Sequence, residues 1–147
     1  MSEIHVRLAE REDFQSVSGL LAELGRPAVT AETTGAAQAV YERHVADPET
    51  ASLVAEINGE LIGFVSLHFR ERLNCVHRQA WIPDLIVTAS ARGQKAGRAL
   101  LEAAFAVAVE RGCDRVMLES GYTRAVAHQL YGAAGMSNDG YFFTRHL

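Results

Sequence analysis

Asp84-Leu85-Ile86-Val87-Thr88-Ala89-Ser90-Ala91-Arg92-Gly93-Gln94-Lys95-Ala96-Gly97-Arg98 is the stretch on which the reading of this chain turns. A short apolar run ends at Val87, and a small polar turn follows. Gly93 and Gly97 then come just before a long segment with helical apolar spacing. A strand that passes through a glycine-containing turn into a helix N-terminus is an anion site. The first helix amides lack partners inside the helix, the dipole is positive there, and glycine lets main chain come close. Arg92, Lys95 and Arg98 add three cations to this turn in a chain of formal net charge −4. The turn is read as an anchor for a polyphosphate cofactor.

Downstream, Gly97, Leu100, Leu101, Ala104, Phe105 and Ala108 fall on one helical face, so 95–111 is predicted as a helix ended by Gly112. Arg98 and Glu102 pair at i,i+4 on its other side. Arg115 to Glu119 reads as a strand. Thr123 caps a further helix that runs to Ala134 and stops at Gly135. Val126, Leu130 and Ala133 are expected on its buried face, beside Tyr131 at an edge. A final hairpin is expected, with Asn138-Asp139-Gly140 as its turn and Tyr141 to Arg145 as its second strand.

Upstream, Ile4, Val6 and Leu8 alternate with His5 and Arg7, the period of a strand. Phe14, Val17, Leu20, Leu21 and Leu24 repeat at helical spacing until Gly25. A weaker, alanine-rich helix spans Thr30 to Val45. Ala51 to Ile57 and Leu61 to Phe69 read as a hairpin around Asn58-Gly59, whose residues both accept positive φ. Gly63 marks a bulge or a close approach. Arg70 to Arg78 is a loop. Ala80 to Val87 is the fourth strand. Pro83 either delays its start or interrupts its pairing, because proline cannot donate to a ladder.

The pattern is mixed α/β, with strand four, helix and strand five as a right-handed βαβ unit. At 147 residues, 48% of them hydrophobic and 22% charged, a single domain over 1–147 is expected. The acidic balance argues against nucleic acid as a partner. No apolar run approaches a membrane span, and Met1 to His5 has no apolar leader core, so a cytoplasmic location is expected. Cys75 and Cys113 form no CxxC pattern and read as reduced thiols. No histidine pair with an acid stands at ligand spacing, so no metal is expected. A GxxxxGK[ST] stretch is missing, which disfavours a nucleotide-binding α/β protein.

The chain resembles the GNAT (GCN5-related N-acetyltransferase) family. The resemblance is strongest from Ile82 to Met136 and extends over the whole chain by element order. The family's cofactor motif Arg/Gln-x-x-Gly-x-Gly/Ala is matched by Arg92-Gly93-Gln94-Lys95-Ala96-Gly97. Ala127 through Leu130-Tyr131-Gly132-Ala133-Ala134-Gly135-Met136 is similar to the family's second segment. Lys95 departs from the pattern, standing where the family usually has its first motif glycine. Either its side chain points outward and adds charge, or it obstructs the cofactor.

The resemblance implies the acyl-CoA N-acyltransferase fold: a mixed sheet of six or seven strands, about four helices, and a splay between strands four and five. It implies acetyl-CoA as co-substrate and direct transfer to a primary amine of a small molecule or peptide. Leu85, Ile86 and Val87 would hold pantetheine by main-chain groups, with the Val87 amide polarising the acetyl carbonyl. Arg92, Gly93, Gln94, Lys95, Ala96, Gly97 and Arg98 would hold the pyrophosphate. Tyr131 matches the tyrosine that protonates the departing sulfur. Asp84 sits where many members place an acid near the substrate amine. It acts as base or orients the ammonium, or it is simply paired with a neighbouring cation. Trp81, His77 and Glu119 are weaker candidates for the acceptor side. A homodimer fits the family's habits. A non-catalytic acyl-CoA-binding module of the same fold is the alternative.

Overall fold

A computed structural model of the chain describes residues 3–93, 95–122 and 124–147. Its elements are β1 (His5–Leu8), α1 (Phe14–Leu24), α2 (Thr34–Ala46), β2 (Thr50–Ile57), β3 (Glu60–Arg70), β4 (Arg78–Ile82), β5 (Leu85–Val87), α3 (Ala96–Glu110), β6 (Cys113–Leu118) and α4 (Ala125–Ala133). The strands form one six-stranded sheet in the order β1-β2-β3-β4-β6, with β5 paired to β3 off that path. β1 to β4 are antiparallel to their neighbours, and β6 runs parallel to β4.

Asn58 (φ 52°) and Gly59 (φ 81°) make the β2–β3 turn with the positive φ the sequence predicts. The next irregularity is a register shift at Ala55/Glu56, which leaves Ile62 as the extra residue beside Gly63. Gly63 is also a close approach. A Cβ there would lie 2.8 Å from Leu100 Cδ1 and 3.1 Å from the Ile86 carbonyl oxygen.

Each sheet face has its own core. Leu53, Val65, Leu67 and Phe69 point to α3, whose Leu100, Leu101 and Ala104 are fully buried. Val54, Phe64 and Ile86 point the other way, onto Phe14, Val17, Leu20 and Leu24 of α1 and Tyr41 of α2. Strand alternation produces this division directly. At the edge of the second core, Arg7 holds Asp13 by two bonds of 2.8 and 3.0 Å, and the Tyr41 hydroxyl donates to Glu10 O at 2.5 Å.

Two expectations are corrected. Residues 134–147 form no strand, so the C-terminal hairpin is not made. Gly140 does not take positive φ; instead Ser137 Oγ bonds Asp139, and the Gly140 amide bonds the Asn138 side chain. On α4, Val126 is 79% exposed and Ala133 is also exposed. The covered face is Leu130, Tyr131 and Ala134, because α4 rests on the sheet–α3 core along that edge alone. Thr123, expected as its cap, lies outside the described residues.

Candidate active site

Pro83 does interrupt the fourth strand. β4 ends at Ile82 and β5 starts at Leu85, and the two pieces part company. β4 keeps β6 as its parallel neighbour, while β5 pairs only with β3. The bonds Ser66 N–H to Asp84 O and Thr88 N–H to Ile62 O set the alternation. Asp84, Ile86 and Thr88 turn their main chain toward β3. Leu85 and Val87 turn theirs away, to a side where no strand lies among the described residues. The expected splay is this gap. Ile86 belongs to the ladder and buries its side chain against α1.

The gap opens onto the turn before α3. Gly93 (φ 85°) and Lys95 (φ 68°) both adopt left-handed backbone, and Lys95 is the residue that precedes the helix. Positive φ at 95 explains why glycine suits this position. The lysine side chain is exposed, pointing out of the fold. The amides from Ala96 to Arg98 are those an α-helix leaves unpartnered within itself. Arg92 is exposed and its Nε reaches Val87 O at 3.4 Å, whereas Arg98 is engaged by Glu102 at 2.8 Å. Gln94 lies outside the described residues. Gly97 also serves packing: a Cβ there would lie 3.1 Å from Leu130 Cδ2 of α4. Glu23, at the end of α1, accepts from the Thr88 hydroxyl (2.9 Å) and the Ala89 amide (2.7 Å) and so holds the turn after β5.

α4 carries Tyr131 half-buried against the same core. Burial pushes its phenol above the ordinary value, against a smaller opposing pull from Arg124. It therefore stays protonated at neutral pH. Arg124 donates to Leu24 O at 3.0 Å, linking the start of α4 to the end of α1.

On the α1–α2 side, Asp84 is held at both oxygens. Arg26 Nε is 2.8 Å from Oδ1, and the Ser66 hydroxyl donates to Oδ2 at 3.0 Å. Next to Ser66 on that face of β3 is His68, between the rings of Trp81 (5.5 Å) and His44 (5.1 Å). Burial, with a smaller push from His68, holds His44 below the usual histidine range. Trp81 Nε1 donates to Glu119 Oε2 at 2.6 Å, and Arg70 lies 5.4 Å over the indole. Trp81, Glu119 and Asp84 are thus parts of one wall. His77 is exposed in the loop before β4. Sequence reasoning missed Arg26, His44, Ser66 and His68. The alternation of Phe64, Ser66 and His68 was a signal for the last two. Their relation to Trp81 and Asp84 required the β3–β4 register.

A phosphate-type turn follows an unpaired strand side, and a half-buried tyrosine packs on the same core. The family model of the acetyltransferase (GNAT) family matches residues 17–136. The chain belongs to the GNAT acetyltransferase family. This GNAT acetyltransferase is 30% identical to an aminoalkylphosphonate N-acetyltransferase of Salmonella typhimurium over 142 residues, 97% of this chain and 90% of that protein. Among solved structures, a transcriptional regulator from Bacillus halodurans superposes with a TM-score of 0.90 at 22% identity, covering 99% and 100% of the two chains. An aminoglycoside N-acetyltransferase, AAC(6')-Iy, in complex with CoA superposes with a TM-score of 0.83 at 20% identity, covering 99% and 96%. Both show the same fold. No helix among the described residues is long and apolar enough to cross a membrane.

Proposed function

We propose that this chain transfers an acetyl group from acetyl-CoA directly to the primary amine of a small molecule. The observation that carries this reading is the β5 gap. The outward-turned main chain of Leu85 and Val87 leads into the Arg92–Arg98 turn, and their side chains pack against the same core as Leu130 and Tyr131 of α4. The pantetheine arm of coenzyme A would run along β5, with the coenzyme's pyrophosphate on the amides of Ala96 to Arg98 and on the charges of Arg92 and Lys95.

The Val87 amide would polarise the thioester carbonyl. The neutral amine attacks the carbonyl carbon, the C–S bond breaks, and Tyr131 gives its proton to the departing sulfur. The products are an acetamide and free coenzyme A. The proton lost by the amine passes to the acceptor wall or to water. Asp84, fixed by Arg26 and Ser66, attracts the ammonium form and orients it. The 30% identity to an aminoalkylphosphonate N-acetyltransferase makes amines with an anionic group the first acceptors to try, ahead of peptides.

The test is a mass-spectrometric screen of primary amines, aminoalkylphosphonates and aminoglycosides included, with acetyl-CoA. The expected result is an acetylated amine with stoichiometric free thiol. No product across the panel, together with no rise in melting temperature at millimolar acetyl-CoA, overturns the reading.

A further inference from the structure

The last turn of α1 reaches three parts of the site that lie far apart in sequence. Leu20 and Leu24 bury this turn against Phe64 and Ile86 of the sheet, which makes the helix end a fixed platform. Gly25 (φ 111°) closes the helix, with its amide on Ala22 O and the Arg26 amide on Leu21 O. From that platform Glu23 takes the turn after β5, Leu24 O takes the start of α4, and Arg26 takes the break between β4 and β5.

Glu23 is the informative member. A carboxylate close to a phosphate turn weakens anion binding by repulsion, so charge alone would disfavour it there. Its bonds give the reason for it. The single 3-10 turn at Ala89–Ala91 has no side-chain cap from its own Thr88. Glu23 supplies one from another helix, accepting from the Ala89 amide at 2.7 Å and the Thr88 hydroxyl at 2.9 Å. This fixes the direction in which the chain leaves β5, and with it the placement of Arg92 and Gly93. Arg124 does the corresponding work for α4. Its guanidinium donates to Leu24 O at 3.0 Å, a cation on a helix C-terminus, and so sets the start of the helix that carries Tyr131.

We propose that Glu23 and Arg124 are positioning residues. Through the end of α1, Glu23 sets the phosphate turn and Arg124 sets Tyr131, both relative to the Asp84 that Arg26 holds. Neither side chain is assigned a contact with coenzyme or amine. The inference rests on the acetyl-transfer reading and adds to it which residues hold the two halves of the site in register. Both side chains are exposed, so their bonds contribute little to stability and their variants should fold. Their effect is on geometry, where a small displacement of a reacting group costs rate.

Calorimetric titration with coenzyme A, together with steady-state kinetics on an amine from the acceptor screen, separates the two roles. Glu23→Ala should weaken coenzyme A binding about fivefold and raise the acetyl-CoA KM alike, with kcat and Tm nearly kept. Glu23→Gln still accepts from the Ala89 amide and should recover most of that loss. Arg124→Ala should lower kcat about tenfold with coenzyme A binding unchanged, and Arg124→Lys should restore part of it. Tighter coenzyme A binding in both Glu23 variants would show plain repulsion and overturns the proposal. So does a loss shared alike by kcat, both KM values and Tm, the mark of a merely structural role. A wild-type chain that acetylates no amine removes the acetyl-transfer reading and this inference with it. An active wild type whose variants show no such split overturns this inference alone.

Discussion

Arg26 Nε and Asp84 Oδ1 lie 2.8 Å apart and are separated by 58 residues of sequence. The pair ties the segment after α1 to the break between β4 and β5, and Arg26 also donates to Pro83 O at 2.8 Å. Because Arg26 is half-exposed, the pair contributes little to stability, under about 1 kcal/mol. Its weight falls on position. Arg26→Ala should leave the fold intact and raise the acceptor KM about fivefold, as the loss of one orienting ion pair would. Asp84→Asn should raise acceptor KM further with kcat largely kept. A large fall in kcat with a displaced pH profile would instead mark Asp84 as the base.

Tyr131→Phe should lower kcat by about a hundredfold or more while acetyl-CoA affinity stays nearly unchanged, the pattern for loss of a general acid. An acid must be protonated to act. Its raised phenol places the alkaline limb of kcat above the ordinary tyrosine value of 10.0, and that limb should vanish in the phenylalanine variant. Equal turnover in the two proteins would remove Tyr131 from the mechanism.

Lys95 pays for left-handed backbone with a side chain in place. Lys95→Gly should raise stability by up to about 1 kcal/mol, a few degrees in Tm. If the lysine charge assists the phosphates, the same variant should bind acetyl-CoA more weakly at low salt, and the difference should shrink as salt rises. Tighter binding at every salt would show that the lysine obstructs.

Gly63→Ala should destabilise by about 1–3 kcal/mol, the range for forced overpacking. The new Cβ meets Leu100 Cδ1, which can rotate, and the Ile86 carbonyl, which belongs to the β3–β5 ladder and cannot. Chemical denaturation measures the loss. An unchanged midpoint would mean that β5 slides, and acetyl-CoA affinity should then fall.

Acid should weaken the fold in two windows. Asp13 is held below its ordinary 3.8 chiefly by hydrogen bonds from Arg7. That contribution is present above the unfolded value and lost as pH falls through the folded one. Burial likewise depresses His44 below 6.5, so its contribution fades as pH drops below that value. Asp13→Asn should reduce stability at neutral pH and flatten the steeper loss in the acidic window. Thermal melts across pH resolve both.

Local chemistry made much of this legible in the sequence. Asn58-Gly59 could close only one kind of hairpin. The Leu100, Leu101, Ala104 face could only be buried, and Arg98 meets Glu102 as spacing requires. What failed was non-local. Val126 reads as core by helical period, yet α4 meets the body along one edge. Phe142 and Phe143 read as a strand, yet a strand needs an edge to pair with, and sequence does not say which. The wall proposed for the acceptor was half visible through Trp81, Glu119 and Asp84. His44, Ser66 and His68 join it only through cross-strand register and the return of α2 over the sheet.

Splitting the fourth strand at Pro83 also separates two inheritances. β5, with its glycine-bearing turn, presents peptide groups whose positions depend little on side-chain identity. The wall on the α1–α2 side consists of side chains: His44 of α2, Ser66 and His68 of β3, Trp81 of β4, and Asp84 and Glu119 just past β4 and β6. On the proposed function, substitutions at 44, 68 or 81 would therefore change the accepted amine without disturbing how the thioester is gripped. A lineage carrying this break can explore new acceptors one residue at a time.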